Sequence, residues 1–261
     1  MRESWSGADR YEAFMGRWSR LVAEKFLGWL APAAGLCWID VGCGTGALTR
    51  TLAAKSPRIV VGADSSQDYV RAAREGTGTS NVASVVAEAQ ELPIAGESAD
   101  MAVSALALNF VPQPERMVAE MRRALRRNGR IALYVWDYAG GMEFLRYFWD
   151  AVVELDPAAV DLDEGNRFPI CNPTALEQLF VRAGLENVAV RAIDVPTPFK
   201  DFEDYWSPFL GGPGPAPGYV STLASQPRSA LRDLLRKQLP RRSDRSISLR
   251  ARAWAVQGRK S

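Results

Sequence analysis

One short run, Trp38-Ile-Asp-Val-Gly-Cys-Gly-Thr-Gly-Ala47, restricts the fold of this chain more than any other. Apolar residues lead into three alternating glycines and then into a helix-like stretch, the pattern of a buried strand that turns tightly into a helix. Glycines at 42, 44 and 46 let the backbone turn and let a ligand approach without a Cβ in the way. In open α/β sheets this is where ligands sit. Taken alone, Gly42-x-Gly44-x-x-Ala47 also fits a dinucleotide fingerprint. The neighbouring acids separate the two. Asp40, two residues before the first glycine, would repel a pyrophosphate and would favour a ligand that presents an ammonium and a sulfonium. Asp64, in Val60-Val-Gly-Ala-Asp-Ser65, follows at the distance of an acid that reads a ribose diol, whichever nucleoside carries it.

Short apolar runs alternate with helical patterns from Leu36 to Trp136, which is the signature of βα units and a mostly parallel sheet covered on both faces. Strands are expected at Leu36 to Val41, Arg58 to Gly62, Val82 to Val86, Asp100 to Ser104 and Arg130 to Trp136. Helices are expected from Gly46, from Ser66 and from Pro114, the last carrying Met117, Met121 and Leu125 on one face and stopping at Asn128-Gly129. Ahead of the sheet, Tyr11, Met15, Trp18, Val22 and Phe26 fall on one face of an amphipathic helix. Beyond it, Pro173 to Ala183 reads as helix, while Asn187 to Val195 and Ile247 to Val256 read as strands. The Gly211 to Gly218 stretch, GGPGPAPG, reads as neither helix nor strand interior.

With 261 residues and ordinary apolar and charged content, the chain can bury a sizeable core as one α/β domain carrying an insertion. The expected layout is a single domain over 1–261: an amino-terminal helix over 1–30, a ligand-binding core over 31–136, and a cap with the final helix and strands over 137–261. No apolar run approaches bilayer length and no signal sequence is visible, so a cytoplasmic protein without a membrane partner is expected. Cys37, Cys43 and Cys171 are odd in number and widely spaced, indicating neither disulfides nor a metal centre. A net charge of +2 gives no reason to expect nucleic acid. The cations between Arg228 and Arg252 read as a solvated surface.

In order along the chain, IDVGCGTG, GADSS, AEAQELPI and SADMAVSALAL resemble the successive motifs of class I S-adenosylmethionine-dependent methyltransferases. They are most similar to the small-molecule branch called methyltransferase type 11. The resemblance implies a Rossmann-like seven-stranded sheet, open and mostly parallel with helices on both faces, an antiparallel last hairpin and a helical cap insertion. It implies S-adenosylmethionine as cofactor and S-adenosylhomocysteine as product. Carried onto this sequence, Gly42, Cys43 and Gly44 contact the methionine part, Asp64 and Ser65 hold the ribose, and Glu88 and Ala89 lie beside the adenine. Glu88 departs from the family's usual aspartate. The stretch Tyr11 to Arg20 is similar to the family's lid helix, so Tyr11 and Arg17 would close over the cofactor; a packed helix with Arg17 in solvent is the other reading.

Methyl transfer is an in-line displacement that chiefly needs alignment and exclusion of water. The sequence holds no histidine, so a base has to be another residue type or be dispensable. Asn109, Asp137, Tyr138, Tyr147, Asp150 and Trp206 fall where an acceptor would bind, but none carries a motif, and the catalytic residue stays open. Asn109-Phe-Val-Pro112 lacks the paired prolines and tyrosine of nucleobase amino-methyltransferases. The aromatics of 137–246 read as a cap over an apolar or planar acceptor, or as plain core. The expected function is therefore methyl transfer to a small-molecule acceptor, with an NAD(P)-dependent oxidoreductase or a non-catalytic S-adenosylmethionine-binding protein as alternatives.

Overall fold

The computed structural model describes residues 16–78, 80–211 and 214–261. Seven strands form one sheet in the order β3-β2-β1-β4-β5-β7-β6. They are β1 (Cys37–Val41), β2 (Ile59–Asp64), β3 (Val82–Val86), β4 (Ala99–Ala105), β5 (Leu125–Trp136), β6 (Leu185–Phe199) and β7 (Ile247–Lys260). The first five are parallel to one another, and the last strands bring in the antiparallel pairing. All five residues of β1 are buried, as expected for a central strand covered on both faces.

Asp40 pairs in register with Gly62 of β2 and with Val103 of β4. The strand order reverses between β1 and β4, so the glycine loop leaves the sheet at the switch point where open sheets take ligands. Helices α1 (Arg17–Leu30), α2 (Ala47–Ala53), α3 (Gln67–Thr77) and α4 (Pro114–Ala124) stand where the amphipathic patterns put them. On α1, Trp18, Val22 and Phe26 are buried, while Tyr11 and Met15 lie outside the described residues. Ser66 caps α3, its hydroxyl accepting from the Tyr69 N–H.

Two expectations are corrected. Helix α4 ends at Ala124, and Asn128-Gly129 lies inside β5 instead of stopping a helix. The register jumps from Ala99↔Leu125 to Met101↔Arg130, so residues 126–129 bulge out of the ladder. Asn128 supplies the left-handed turn at φ 66°, and Gly129 is tight against the carbonyls of Arg126 and Asp100. Asp100 fastens the bulge by accepting from Arg126 at 2.7 Å and from the Cys37 N–H at 2.8 Å. The second correction is at Gly211 to Gly218, which does contain helix, α9 (Pro215–Thr222). Both of its prolines lie in the first turn, where no intrahelical N–H is required, and the Gly218 N–H closes onto the Gly214 carbonyl at 3.1 Å.

The described residues fall into two compact units. A sheet unit comprises 19–135, 170–193 and 253–261 and holds α7 (Pro173–Arg182) with most of the sheet. A helical unit comprises 16–18, 136–169 and 194–252. It contains α5 (Glu143–Leu155), α6 (Glu164–Arg167), α8 (Phe202–Trp206), α9 and α10 (Ser225–Gln238). Its core is aromatic: Phe148 and Phe209 stack at 4.4 Å, and Phe144, Phe199 and Tyr205 pack edge-on or tilted around them. The Tyr205 hydroxyl donates to the Phe144 carbonyl at 2.8 Å, which satisfies the buried phenol. No described helix is long and apolar enough to cross a membrane.

Candidate cofactor site

The glycine loop is held from below. The Ala63 carbonyl accepts from both the Gly42 and Cys43 N–H groups, at 2.7 and 3.0 Å. The Gly44 N–H donates to Asp64 Oδ2 at 2.9 Å and the Gly46 N–H to the Cys43 carbonyl at 2.9 Å. Glycine is obligatory at 42, where φ is 71° and a Cβ would lie 2.4 Å from the Ala107 methyl. At Gly44 φ is also positive, 53°, but a Cβ would meet nothing within 4 Å. The loop therefore turns its N–H groups toward the protein and presents bare backbone at Gly44.

Asp40 lies beneath this loop with no exposed surface. Its Oδ2 accepts from Thr49 Oγ1 at 2.6 Å, and its Oδ1 is buried without a partner. Burial pushes the carboxyl up to about 7, against the Thr49 hydrogen bond and with added repulsion from Asp64. An acid in this state takes on full charge when a cation comes beside it. Thr49 joins this cluster through that hydrogen bond and is inconspicuous in the sequence. Its only signal was a hydroxyl between Leu48 and Leu52, on the buried side of α2.

Asp64 ends β2. Its Oδ2 holds Gly44, and its Oδ1 accepts from the Ser66 N–H at 2.9 Å, so it fastens the glycine loop to the start of α3. Desolvation raises its pKa over the effect of these two bonds, and Glu88 adds repulsion. Each oxygen keeps lone pairs for a further donor. Ser65 is exposed beside it; Glu88 is exposed and Ala89 half-buried just past β3. The structure thus brings Asp40, Gly42, Cys43, Gly44, Asp64, Ser65, Glu88 and Ala89 together in the sheet unit. Cys43 is buried with its thiol pushed up by desolvation, which makes it a packing group and not a nucleophile.

Arg17 belongs to the helical unit, where it pairs with Asp204 at 3.1 Å and lies over the rings of Trp18 and Phe199 at 4.2 and 4.7 Å. Tyr11 lies outside the described residues. Asp137 closes a turn: its carbonyl accepts from the Gly141 and Met142 N–H groups and its carboxylate from the Gly140 N–H. Tyr138 packs at a tilt against Phe168, Trp206 is core, Tyr147 is half-buried and Asp150 is exposed. Most of the aromatics expected over an acceptor, among them Phe144, Phe148, Phe199, Phe202, Tyr205 and Phe209, are buried core of the helical unit. Among the described residues no cluster of three or more metal-ligating side chains occurs.

Residues 39–133 match the methyltransferase-domain family. The methyltransferase GfsG of Streptomyces halstedii is 31% identical over 43% of this chain and 42% of its own length. The malonyl-[acyl-carrier protein] O-methyltransferase of Methylococcus capsulatus is 33% identical over 51% of this chain and 48% of its own. The chain thus spans less than half the length of either relative. Among solved structures, a phosphoethanolamine N-methyltransferase of Haemonchus contortus in complex with S-adenosyl-L-methionine is similar in fold, with a TM-score of 0.62 at 15% identity over 98% of this chain and 57% of that one. Residues 39–133 are thus similar to the methyltransferase domain, and the sheet built around them is similar in fold to S-adenosylmethionine-dependent methyltransferases.

Proposed function

We propose that this protein transfers the methyl group of S-adenosylmethionine to a small-molecule acceptor in the cytoplasm. The observation that carries the reading is the electrostatics of the glycine loop. The N–H groups of Gly42, Cys43, Gly44 and Gly46 all point at protein acceptors, and Asp40, Asp64 and Glu88 gather around the loop. A pyrophosphate needs the opposite arrangement, with loop N–H groups directed outward and no carboxylate below. A ligand with an ammonium, a ribose diol and an adenine suits this one. The unpartnered Oδ1 of Asp40 and the open face of Gly44 are the places such a ligand would fill.

The residue roles follow from these positions. Asp40 supplies negative potential under the methionine ammonium, and Gly42 to Gly44 let the methionine part run close to the backbone. Asp64 and Ser65 receive the ribose, Glu88 and Ala89 the adenine. When bound, the cofactor supplies an electrophilic methyl on a sulfonium; the chain's own task is to hold an acceptor in line with it and keep water out. Support for a small acceptor comes from the near-neutral charge of the chain. All three cysteines are free and buried, which suits a reducing compartment.

Calorimetric titration with S-adenosylmethionine, S-adenosylhomocysteine and NAD tests this reading. Micromolar binding of the first two and none of NAD is expected. Binding of NAD alone would establish the oxidoreductase alternative. Tight cofactor binding with no transfer to any acceptor would leave a non-catalytic binding protein. Asp64→Ala should weaken S-adenosylhomocysteine by about 2 to 4 kcal/mol through loss of charged hydrogen bonds.

A further inference from the structure

The chain that leaves β4 carries an arrangement that neither the fold nor the cofactor site explains. Leu106 adopts a left-handed backbone, φ 58°, with its N–H donating to the Tyr134 carbonyl at 2.8 Å. A bulky residue held there marks a strained segment, of the kind found at functional sites. Ala107 follows and covers Gly42. A 3-10 turn, Leu108–Phe110, comes next and presents Asn109. This is the carboxyl end of β4, directly across the switch point from the glycine loop.

Both polar atoms of the Asn109 amide, Oδ1 and Nδ2, are withdrawn from solvent and neither has a partner. Asparagines in turns ordinarily bond to nearby backbone, yet this turn closes without the side chain. The Phe110 N–H donates to the Ala107 carbonyl at 3.0 Å and the Val111 N–H to the Leu108 carbonyl at 3.2 Å. A desolvated, unpaired amide is destabilising and is otherwise paired in folded proteins. Asn109 is thus kept for a partner that arrives from outside the fold.

We infer that Asn109 grips the methyl acceptor, an inference that rests on the methyltransferase reading above. Oδ1 can only accept and Nδ2 can only donate. The matching acceptor therefore presents an O–H or N–H with an accepting oxygen or nitrogen beside it, as in hydroxy-carbonyl, catechol-type or amino-alcohol compounds. A hydrocarbon or an isolated carboxylate cannot satisfy both atoms. Asn109 acts by holding this pair of atoms, and no proton transfer is assigned to it.

The experiment compares wild type with Asn109→Leu and Asn109→Asp. In the wild type, binding of S-adenosylhomocysteine is measured first, because its absence would count against the methyltransferase reading itself. In Asn109→Leu, that affinity should stay within about twofold, and the melting temperature should rise by a few degrees as two unpaired polar atoms are removed. An asparagine that supports the fold would give the opposite sign, and a lower melting temperature with cofactor binding intact would overturn the assignment. S-adenosylhomocysteine release is then followed with catechols, hydroxy-ketones, amino alcohols and simple carboxylic acids. The acceptors turned over should be those with paired donor and acceptor, and Asn109→Leu should raise their KM by roughly tenfold or more, with part of the activity kept in Asn109→Asp. Turnover confined to acceptors without such a pair, or an unchanged KM in Asn109→Leu, would also overturn it.

Discussion

Asp40 should give the protein a pH dependence that one substitution removes. Its carboxyl is displaced from about 3.8 to about 7, chiefly by burial. Across that interval the folded protein holds a proton that the unfolded chain has released. Its contribution is therefore fully present below about pH 4 and is lost as pH rises through about 7. A displacement of about three pH units is worth about 4 kcal/mol in all, of which about 2 to 3 kcal/mol falls between about pH 5 and about pH 8. Glu164, buried in the helical unit and also raised to about 7, adds a slope of the same sign. Asp40→Asn keeps an acceptor for the Thr49 hydroxyl and cannot titrate, so only Glu164's share should survive in it. Urea unfolding followed by tryptophan fluorescence across this range measures both proteins. A ligand ammonium beside Asp40 would draw off its proton. Near pH 7, S-adenosylhomocysteine binding should then release up to about half a proton in wild type and none in Asp40→Asn, read by calorimetry in buffers of differing ionisation enthalpy. Equal pH slopes in the two proteins would refute the account of Asp40.

The loop glycines should respond unequally. Gly42→Ala meets the Ala107 methyl as well as a left-handed backbone, and should cost on the order of 3 kcal/mol in urea unfolding with loss of S-adenosylhomocysteine binding. Gly44→Ala meets only the backbone preference, about 1 to 2 kcal/mol, so it should fold and yet lose the ligand by occupying its place. Thr49→Val leaves Asp40 with no partner at either oxygen and should lower stability by about 1 to 3 kcal/mol above pH 7, with a smaller loss at pH 5 where the acid is neutral. Tyr205→Phe removes the hydroxyl that donates to the Phe144 carbonyl and should cost about 1 kcal/mol, while S-adenosylhomocysteine affinity is unchanged in calorimetry.

The parallel half of the sheet was legible because its strands are short apolar runs punctuated by glycine, serine caps and proline, each signal local to a few residues. The two corrected segments show where local signals stop. Asn128-Gly129 is a true turn signal, but whether a turn ends a helix or bulges a strand depends on Met101 pairing with Arg130, a contact between distant residues. Pro215 and Pro217 break a helix interior and start a helix equally well, and their position in the first turn is set by where Gly214 turns the chain. In the candidate site the acids and glycines announced themselves through spacing. Thr49 did not, because a threonine on an apolar helix face acquires meaning only when Asp40 is found against it. The aromatic residues of 137–246 read equally as acceptor cap or as core, and only their burial against one another decides for core in most of them.

The path of the chain through its two units has a consequence for how such a protein can be altered. The backbone passes from one unit to the other at residues 18–19, 135–136, 169–170, 193–194 and 252–253, and β6 and β7 each begin in one unit and end in the other. Neither unit can be excised as a single stretch of gene. The residues that match the methyltransferase family are one uninterrupted segment of the sheet unit, whereas the helical unit is written in separate pieces around it. A chimaera that exchanges helical units between two such proteins therefore requires several simultaneous junctions, three of them within strands. Point substitution at places such as Asn109, inside the contiguous segment, is the shorter route to a changed specificity.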